Sequence, residues 1–182
     1  MKFALPALSL AAALAAGSAP CLTHAEPAAA QSGSHDFDFE VGQWRVHHRI
    51  LRNGQWIAFD GICTDRLALD GSTNVEEHTF NRPSGVTYGM AIRAYDAKDG
   101  TWAIWWVDSR QPHAPMDPPV VGRFENGVGR FYSDSTVDGH TTRTRYTWSD
   151  ITATSARWDQ ATSEDGGKSW ATNWIMDFER IP

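Results

Sequence analysis

Few side chains in this sequence have both the type and the spacing for chemistry, and most of them sit in stretches that alternate like β-strands. His48 shares a strand face with Trp44, Val46 and Ile50, Asp60 falls in step with Trp56 and Ile62, and Asp108 follows Trp106 at the same parity. Glu77 aligns in the same way with Val75, and His78 with Phe80. A polar group on an inward face must find a partner or a ligand, because burying it unpaired costs about 1–3 kcal/mol. His48, Asp60, Glu77 and Asp108 are therefore the acid–base candidates for a cofactor-free lyase, isomerase or hydrolase. Such an enzyme needs two of them together in a pocket with a shifted pKa; a binding protein needs only apolar walls and a few polar contacts.

Metal chemistry is not written into the spacing. His47 and His48 are adjacent, so on a strand they point to opposite faces and cannot chelate one ion. A haem iron needs only one histidine, from His48, His78 or His113, but no cysteine pair attaches haem covalently; the expectation is no metal and no cofactor, with haem as the lesser alternative. Cys63 reads as a small buried hydrophobe, since a nucleophilic thiol requires a partnered base. The stretch Ser163-x-Asp165-x-Gly167-x-Ser169-Trp170 has the form of an Asp-box turn, which in a sialidase propeller would recur several times. It occurs once, and reads as a hairpin whose Ser and Asp side chains bond the turn amides.

The elements that position these residues are marked by turns. Asn53-Gly54, Asp70-Gly71, Ser84-Gly85, Asp99-Gly100, Asn126-Gly127, Asp138-Gly139 and Gly166-Gly167 each supply the positive φ of a tight β-turn. Between them the spacing predicts ten strands, at 43–51, 56–67, 73–82, 86–96, 101–109, 120–125, 128–137, 141–149, 154–163 and 169–179. All nine tryptophans fall inside these ranges. Short connections make each strand pair with the one before it. An open meander of this length would expose two aromatic edges, so closure into an all-β, antiparallel up-and-down barrel of about eight to ten strands is expected, with a sandwich as the runner-up. One connection, Arg110 to Pro119, carries four prolines and cannot pair. It is either a rigid connector or a lid or portal loop presenting His113, Met116 and Asp117.

Upstream, Lys2 and the apolar run from Phe3 to Ala16 precede small residues, with cleavage sites expected after Ala25 or Ala30. The run is shorter than the roughly 20 residues that span a bilayer, which disfavours a retained anchor helix. Pro20 before Cys21 disfavours a lipoprotein. The expected organisation is a secretory signal over 1–25 (or to 30), a lead-in over 26–42 and a single barrel over 43–182, exported to the periplasm or beyond. Removing the leader takes Cys21 and leaves Cys63 without a disulfide partner. An acidic balance of 16 Lys+Arg against 22 Asp+Glu, with no basic run, argues against nucleic acid and stable membrane association.

Three further residues point to a family. Gly42-x-Trp44 opens the first strand and Arg180 closes the last, which resembles the lipocalin and fatty-acid-binding (calycin) pattern. The resemblance implies that the basic residue packs on the Gly-x-Trp at a closed barrel floor; physically, a guanidinium can stack on the indole while capping strand-end carbonyls. The wider region, with WAIWW, DPPVVGRF and SxDGGKxW, resembles an uncharacterised secreted bacterial family of that lipocalin-like superfamily. This implies a cavity and a small hydrophobic or aromatic ligand, although the strand count exceeds eight and there is no disulfide pair. If the more apolar parity of each strand faces inward, the lining includes Val46, His48, Ile50, Tyr88, Met90, Ile92, Trp102, Ile104, Trp106, Tyr146, Trp148, Trp158, Trp174, Met176 and Phe178. A filled structural barrel would use the same residues. The ligand-binding candidates are thus His48, Asp60, Glu77, Tyr88, Trp102, Trp106, Asp108, His113, Tyr146, Trp148, Trp158 and Trp174, with Gly42, Trp44 and Arg180 as the floor.

Overall fold

In the computed structural model, which describes residues 33–182, ten antiparallel strands follow one another and close into a barrel, β1 pairing with β10. They are β1 (Gly42–Arg52), β2 (Gln55–Ala68), β3 (Thr73–Arg82), β4 (Gly85–Asp96), β5 (Thr101–Asp108), β6 (Val120–Glu125), β7 (Val128–Val137), β8 (His140–Ser149), β9 (Ser155–Ser163) and β10 (Ala171–Arg180). Each corresponds to an expected strand. The turns account for this agreement: Asn53-Gly54, Asn126-Gly127 and Asp138-Gly139 hold positive φ at both residues, the geometry whose twist matches a hairpin. The expected leader lies outside the described residues. Among the described residues no helix is long and apolar enough to cross a membrane.

β10 starts later than expected, at Ala171, so Trp170 belongs to the turn before it. That turn is held by its own side chains. Ser163 Oγ accepts from Gly167 N at 2.8 Å, Asp165 Oδ1 accepts from Lys168 N and Ser169 N at 2.9 Å, and Trp170 Nε1 donates to Gly167 O at 3.0 Å. The Asp-box stretch is a hairpin clamp.

One end of the barrel is closed by a plug. Two short 3-10 turns, Gly33–His35 and Asp38–Glu40, carry Phe37 beneath the strands, where it is 1% exposed. Its ring meets Trp102 edge-on at 5.0 Å and Phe124 at 5.1 Å. Trp44 Nε1 donates to Glu40 O at 2.6 Å, and Trp102 Nε1 to Gly33 O at 2.9 Å. Arg180 completes the floor: its guanidinium lies 4.1 Å from the Trp44 ring and donates to the carbonyls of Val41 and Ala153, both at 2.7 Å, and of Phe39. The Gly42-x-Trp44 and Arg180 residues form the floor that the sequence pattern implied.

On β2 and β4 the inner face is opposite to the expected parity, and on β3, where the sequence offers both a His78–Phe80 and a Val75–Glu77 face, the inner one is His78–Phe80. On β2 the inward residues are Phe59, Gly61, Cys63 and Asp65, while Asp60, Trp56 and Ile62 face out. On β3, Glu76, His78 and Phe80 are buried and Glu77 is exposed. On β4, Gly89, Ala91 and Arg93 point inward, and Tyr88, 57% exposed, shares the outer face with Met90 and Ile92. The cause is a buried polar network that takes the inner face of these strands and displaces their apolar residues outward. Part of that outer face is covered, since Ile92 and Trp105 form a groove with Met116, Pro118 and Pro119 of the proline-rich loop.

The floor's stability can be tested at Arg180. Arg180→Ala removes the stack on Trp44 and orphans strand-end carbonyls, so it should destabilise the barrel by about 2–4 kcal/mol in urea unfolding. Arg180→Lys should recover only part of the loss, lacking the planar fork.

Candidate functional site

Above the floor the barrel encloses a cavity of about 650 Å3, a size that suits one small ligand. Its walls are largely aromatic, formed by Phe80, Trp106, Tyr146, Trp148, Trp158 and Trp174 with Ile104 and Met176. Towards the plug the lining becomes polar, with Glu76, His78 and Arg93. At the other end the strand wall is incomplete. β6 meets β5 only from Trp102 to Ile104, so the upper half of β5 has no β6 partner, and Asp117, Pro118 and Pro119 line the cavity there opposite Ser133 and Asp134.

Five of the expected ligand-binding residues, Trp106, Tyr146, Trp148, Trp158 and Trp174, therefore line one space. Trp106 lies against Gly89, where an added Cβ would come 2.1 Å from the indole, so a side chain there would push Trp106 from the wall. Trp102 is buried in the floor beside Phe37. His48 is fully buried behind the wall. Asp60 faces outward and pairs with His47 at 2.9 Å. Glu77 and Tyr88 are also outside, and His113 is exposed on the loop. Asp108 sits at the rim. Hydrogen bonds from the Arg110 guanidinium, at 2.9 Å from Nε and 2.5 Å from NH2, hold its carboxyl below the usual range.

The polar wall has a directional hydrogen-bond order. Trp174 Nε1 can only donate, so His48 Nδ1, 3.3 Å away, accepts. A neutral His48 then carries its proton on Nε2 and donates to His78 Nε2 at 3.2 Å. His78 in turn donates from Nδ1 to Glu76 Oε1 at 2.9 Å. Burial, with the neighbouring His78 and Arg82, pushes the His48 pKa down to about 2, which keeps it neutral. Gly61 makes room for the pair, since a Cβ there would lie 2.8 Å from His48 Nε2 and 2.5 Å from Thr79 O.

The relay ends in a buried ion cluster. Arg93 pairs with Glu40 at 2.8 Å, with Asp65 at 3.2 Å and with Glu76, and donates to Asn74 Oδ1 at 2.6 Å. Burial favours the neutral acid at Glu76, but the Arg93 charge and the His78 hydrogen bond outweigh it and hold the carboxyl near 2. At Asp65 burial prevails over Arg93 and the pKa rises to about 7; at Glu40 burial raises it well above the ordinary value. Cys63, Glu76 and His78 each bring a ligand-type atom within 4.8 Å of the others. These atoms belong to a satisfied network: His78 Nδ1 is spent on Glu76, burial holds the Cys63 thiol protonated, and the adjacent Arg93 charge repels a cation.

Glu76, Phe80 and Arg93 were not singled out as ligand candidates from sequence. The His78–Phe80 parity reaches Glu76 if followed two residues back, but Arg93 offers no such signal, because its strand neighbours Met90 and Ile92 suggest the opposite face.

Fold and cavity together define a closed, antiparallel ten-stranded barrel whose cavity carries several aromatic rings. No protein-family profile and no curated sequence matches the chain. Among solved structures it is similar to the S-type phycobiliprotein lyase CPES from Guillardia theta, with a TM-score of 0.57 at 10% identity over 84% of this chain and 94% of that one. It also overlaps a redesigned β-barrel, b11L5F_LGL (TM-score 0.45, 10% identity, 83% and 96% covered). The barrel EF1p2_mFAP2b bound to DFHBI gives a TM-score of 0.46 at 12% identity, with 82% and 100% covered. The likeness to the lyase is one of fold.

The neutral state of His48 makes stability depend on pH. In the unfolded chain a histidine takes up a proton below about 6.5, whereas folded His48 resists until about 2. Its contribution is therefore complete above 6.5 and is lost as the pH falls. Urea unfolding at pH 7, 6 and 5 should show the parent's advantage over His48→Gln shrinking by about 1.4 kcal/mol per pH unit below 6. Groups remote from His48 cancel in that difference.

Proposed function

We propose that this protein is an exported barrel that binds one small, flat, hydrophobic or aromatic molecule in its cavity. The observation that carries this reading is the 650 Å3 space walled by Phe80, Trp106, Tyr146, Trp158 and Trp174. Such walls offer large apolar area and preformed ring faces at little entropic cost. The reading does not depend on the shared fold, which at 10% identity carries no activity across. Binding is favoured over catalysis because the acid–base candidates are not gathered in the cavity: Asp60 and Glu77 face outward, and Asp108 is held by Arg110. No resident metal or haem is part of the proposal, since His48 and His78 spend their ring nitrogens on each other, Trp174 and Glu76. Nucleic acid is not a proposed partner, given the formal charge of −6.

The neutral hydrocarbon probe diphenylhexatriene should bind one per chain, gaining fluorescence and quenching the wall tryptophans. Ala91→Trp, which fills the cavity from its inner wall, should abolish binding while leaving the circular dichroism of the barrel unchanged. A parent protein that neither binds the probe nor carries a copurified small molecule in native mass spectrometry overturns the reading.

Export is proposed on the Lys2 n-region and the apolar run to Ala16, with the secreted lipocalin-like family as the setting and the periplasm or extracellular space as the destination. N-terminal sequencing of protein expressed with its leader should find a mature chain starting at Glu26 or Gln31 outside the cytoplasm. An intact N-terminus retained in the cytoplasm would count against it.

A further inference from the structure

The cavity wall has a weak place. Above Ile104 the edge of β5, Trp105 to Asp108, has no β6 partner, and neither has β7 beyond Tyr132. The gap between these two edges is crossed by the proline-rich segment, whose residues Asp117, Pro118 and Pro119 line the cavity on one side and the groove with Ile92 and Trp105 on the other. One thickness of chain therefore separates interior from exterior, with space on both sides of it.

That segment is held unevenly. Its start is anchored, because Gln111 N donates to Asp108 O and Ala114 N to Gln111 O, both at 3.0 Å, and the Arg110 guanidinium grips Asp108. Its far end is pinned where Val120 pairs with Ile104. Between Pro115 and Pro119, among the described residues, no hydrogen bond reaches either strand edge. The three prolines there have no amide hydrogen to give, and Met116, 52% exposed, offers only apolar contact. Chain with few buried contacts and no backbone hydrogen bonds opens at low free-energy cost. Across the barrel the open end is filled: Ile50, Phe59 and Phe80 pack with Trp174, and the Arg82 guanidinium lies 4.9 Å from the Phe59 and Phe80 rings. Trp106, by contrast, lines the cavity and is still 44% exposed, which puts the solvent boundary at the β5 gap. Resting on the reading that the cavity takes a small molecule, we propose that guests enter and leave through the side wall, by outward displacement of the strap from Pro115 to Pro119, rather than along the barrel axis past the hairpin tips. Such a gate sets rates and leaves affinity alone, since the strap contacts re-form once the guest is inside.

The test joins strap to wall in the full chain. Ile92 and Met116 line one groove, so Ile92→Cys and Met116→Cys are combined and bridged by oxidation or, where that does not close, by a short bis-maleimide. Cys63 is buried with its thiol held protonated, and each single variant treated alike is the control. Diphenylhexatriene rates are read by stopped flow, with the probe added before or after bridging. Bridging should slow both entry into unloaded barrels and loss from loaded ones by about tenfold, while their ratio, and so the affinity, stays within about threefold. Met116→Ala, which removes the strap's contact with the groove, should speed both by about threefold at unchanged affinity. Rates that are the same with and without the bridge, or a bridge that weakens affinity without slowing the loss of loaded probe, overturn the gate and leave the cavity reading standing. Cysteines that neither reagent can join place the strap away from the wall and overturn it as well. A parent protein that never takes up the probe removes the cavity reading itself.

Discussion

The constraint on which the rest of the barrel depends is the single buried guanidinium of Arg93. It reaches Asp65 on β2, Asn74 and Glu76 on β3, and Glu40 in the plug, so one side chain of β4 ties three wall strands to the floor. Burying charges this way costs several kcal/mol in desolvation, and removing either Glu76 or Arg93 leaves an uncompensated buried charge, at a cost of about 3–5 kcal/mol. The arrangement also fixes register. Sliding β3 by one residue would put Glu77 in the place of Glu76 but also Val75 in the place of Asn74 and Thr79 in the place of His78, which breaks the cluster, because successive strand residues face opposite sides. A strand with a small or polar inner face is specified by the partners it must meet rather than by an apolar stripe.

From that cluster outward the polar groups are ordered in sequence: Glu76 accepts from His78, His78 from His48, and His48 from Trp174. Each tautomer is dictated by the next, which leaves neither imidazole a free lone pair. The wall that results is preorganised. Trp174 is held by a hydrogen bond from behind and Trp106 by the absence of a side chain at Gly89, so the aromatic faces do not have to be ordered when a guest arrives.

The strands and their closure were legible in the sequence because turn chemistry is local: Asn-Gly and Asp-Gly pairs announce themselves, and four prolines between Arg110 and Pro119 mark the one break. The floor was legible through Gly42, Trp44 and Arg180. On β1, β5, β8 and β10 the apolar parity and the inward parity coincide, and Trp106, Tyr146, Trp148 and Trp174 were found that way. On β2 and β4 they are opposed, and on β3 neither parity is the more apolar. Whether Tyr88 or Gly89 faces inward depends on where Asp65, Glu76 and Arg93 meet, and that is a long-range pairing which no alternation within one strand encodes. The polar half of the cavity was therefore hidden while its aromatic half was visible.

The short seam between β5 and β6 has a bearing on how copies of this protein meet one another. Above Ile104 the β5 edge lacks a strand neighbour, and a bare edge is a template on which another chain can add a strand. The segment that follows it holds Pro112, Pro115, Pro118 and Pro119, residues with no amide hydrogen to offer a growing ladder. The opening through which the interior communicates with solvent is thereby bordered by backbone that cannot propagate a sheet, so the barrel can keep a gap in its wall without inviting the edge-to-edge assembly that such a gap would otherwise seed.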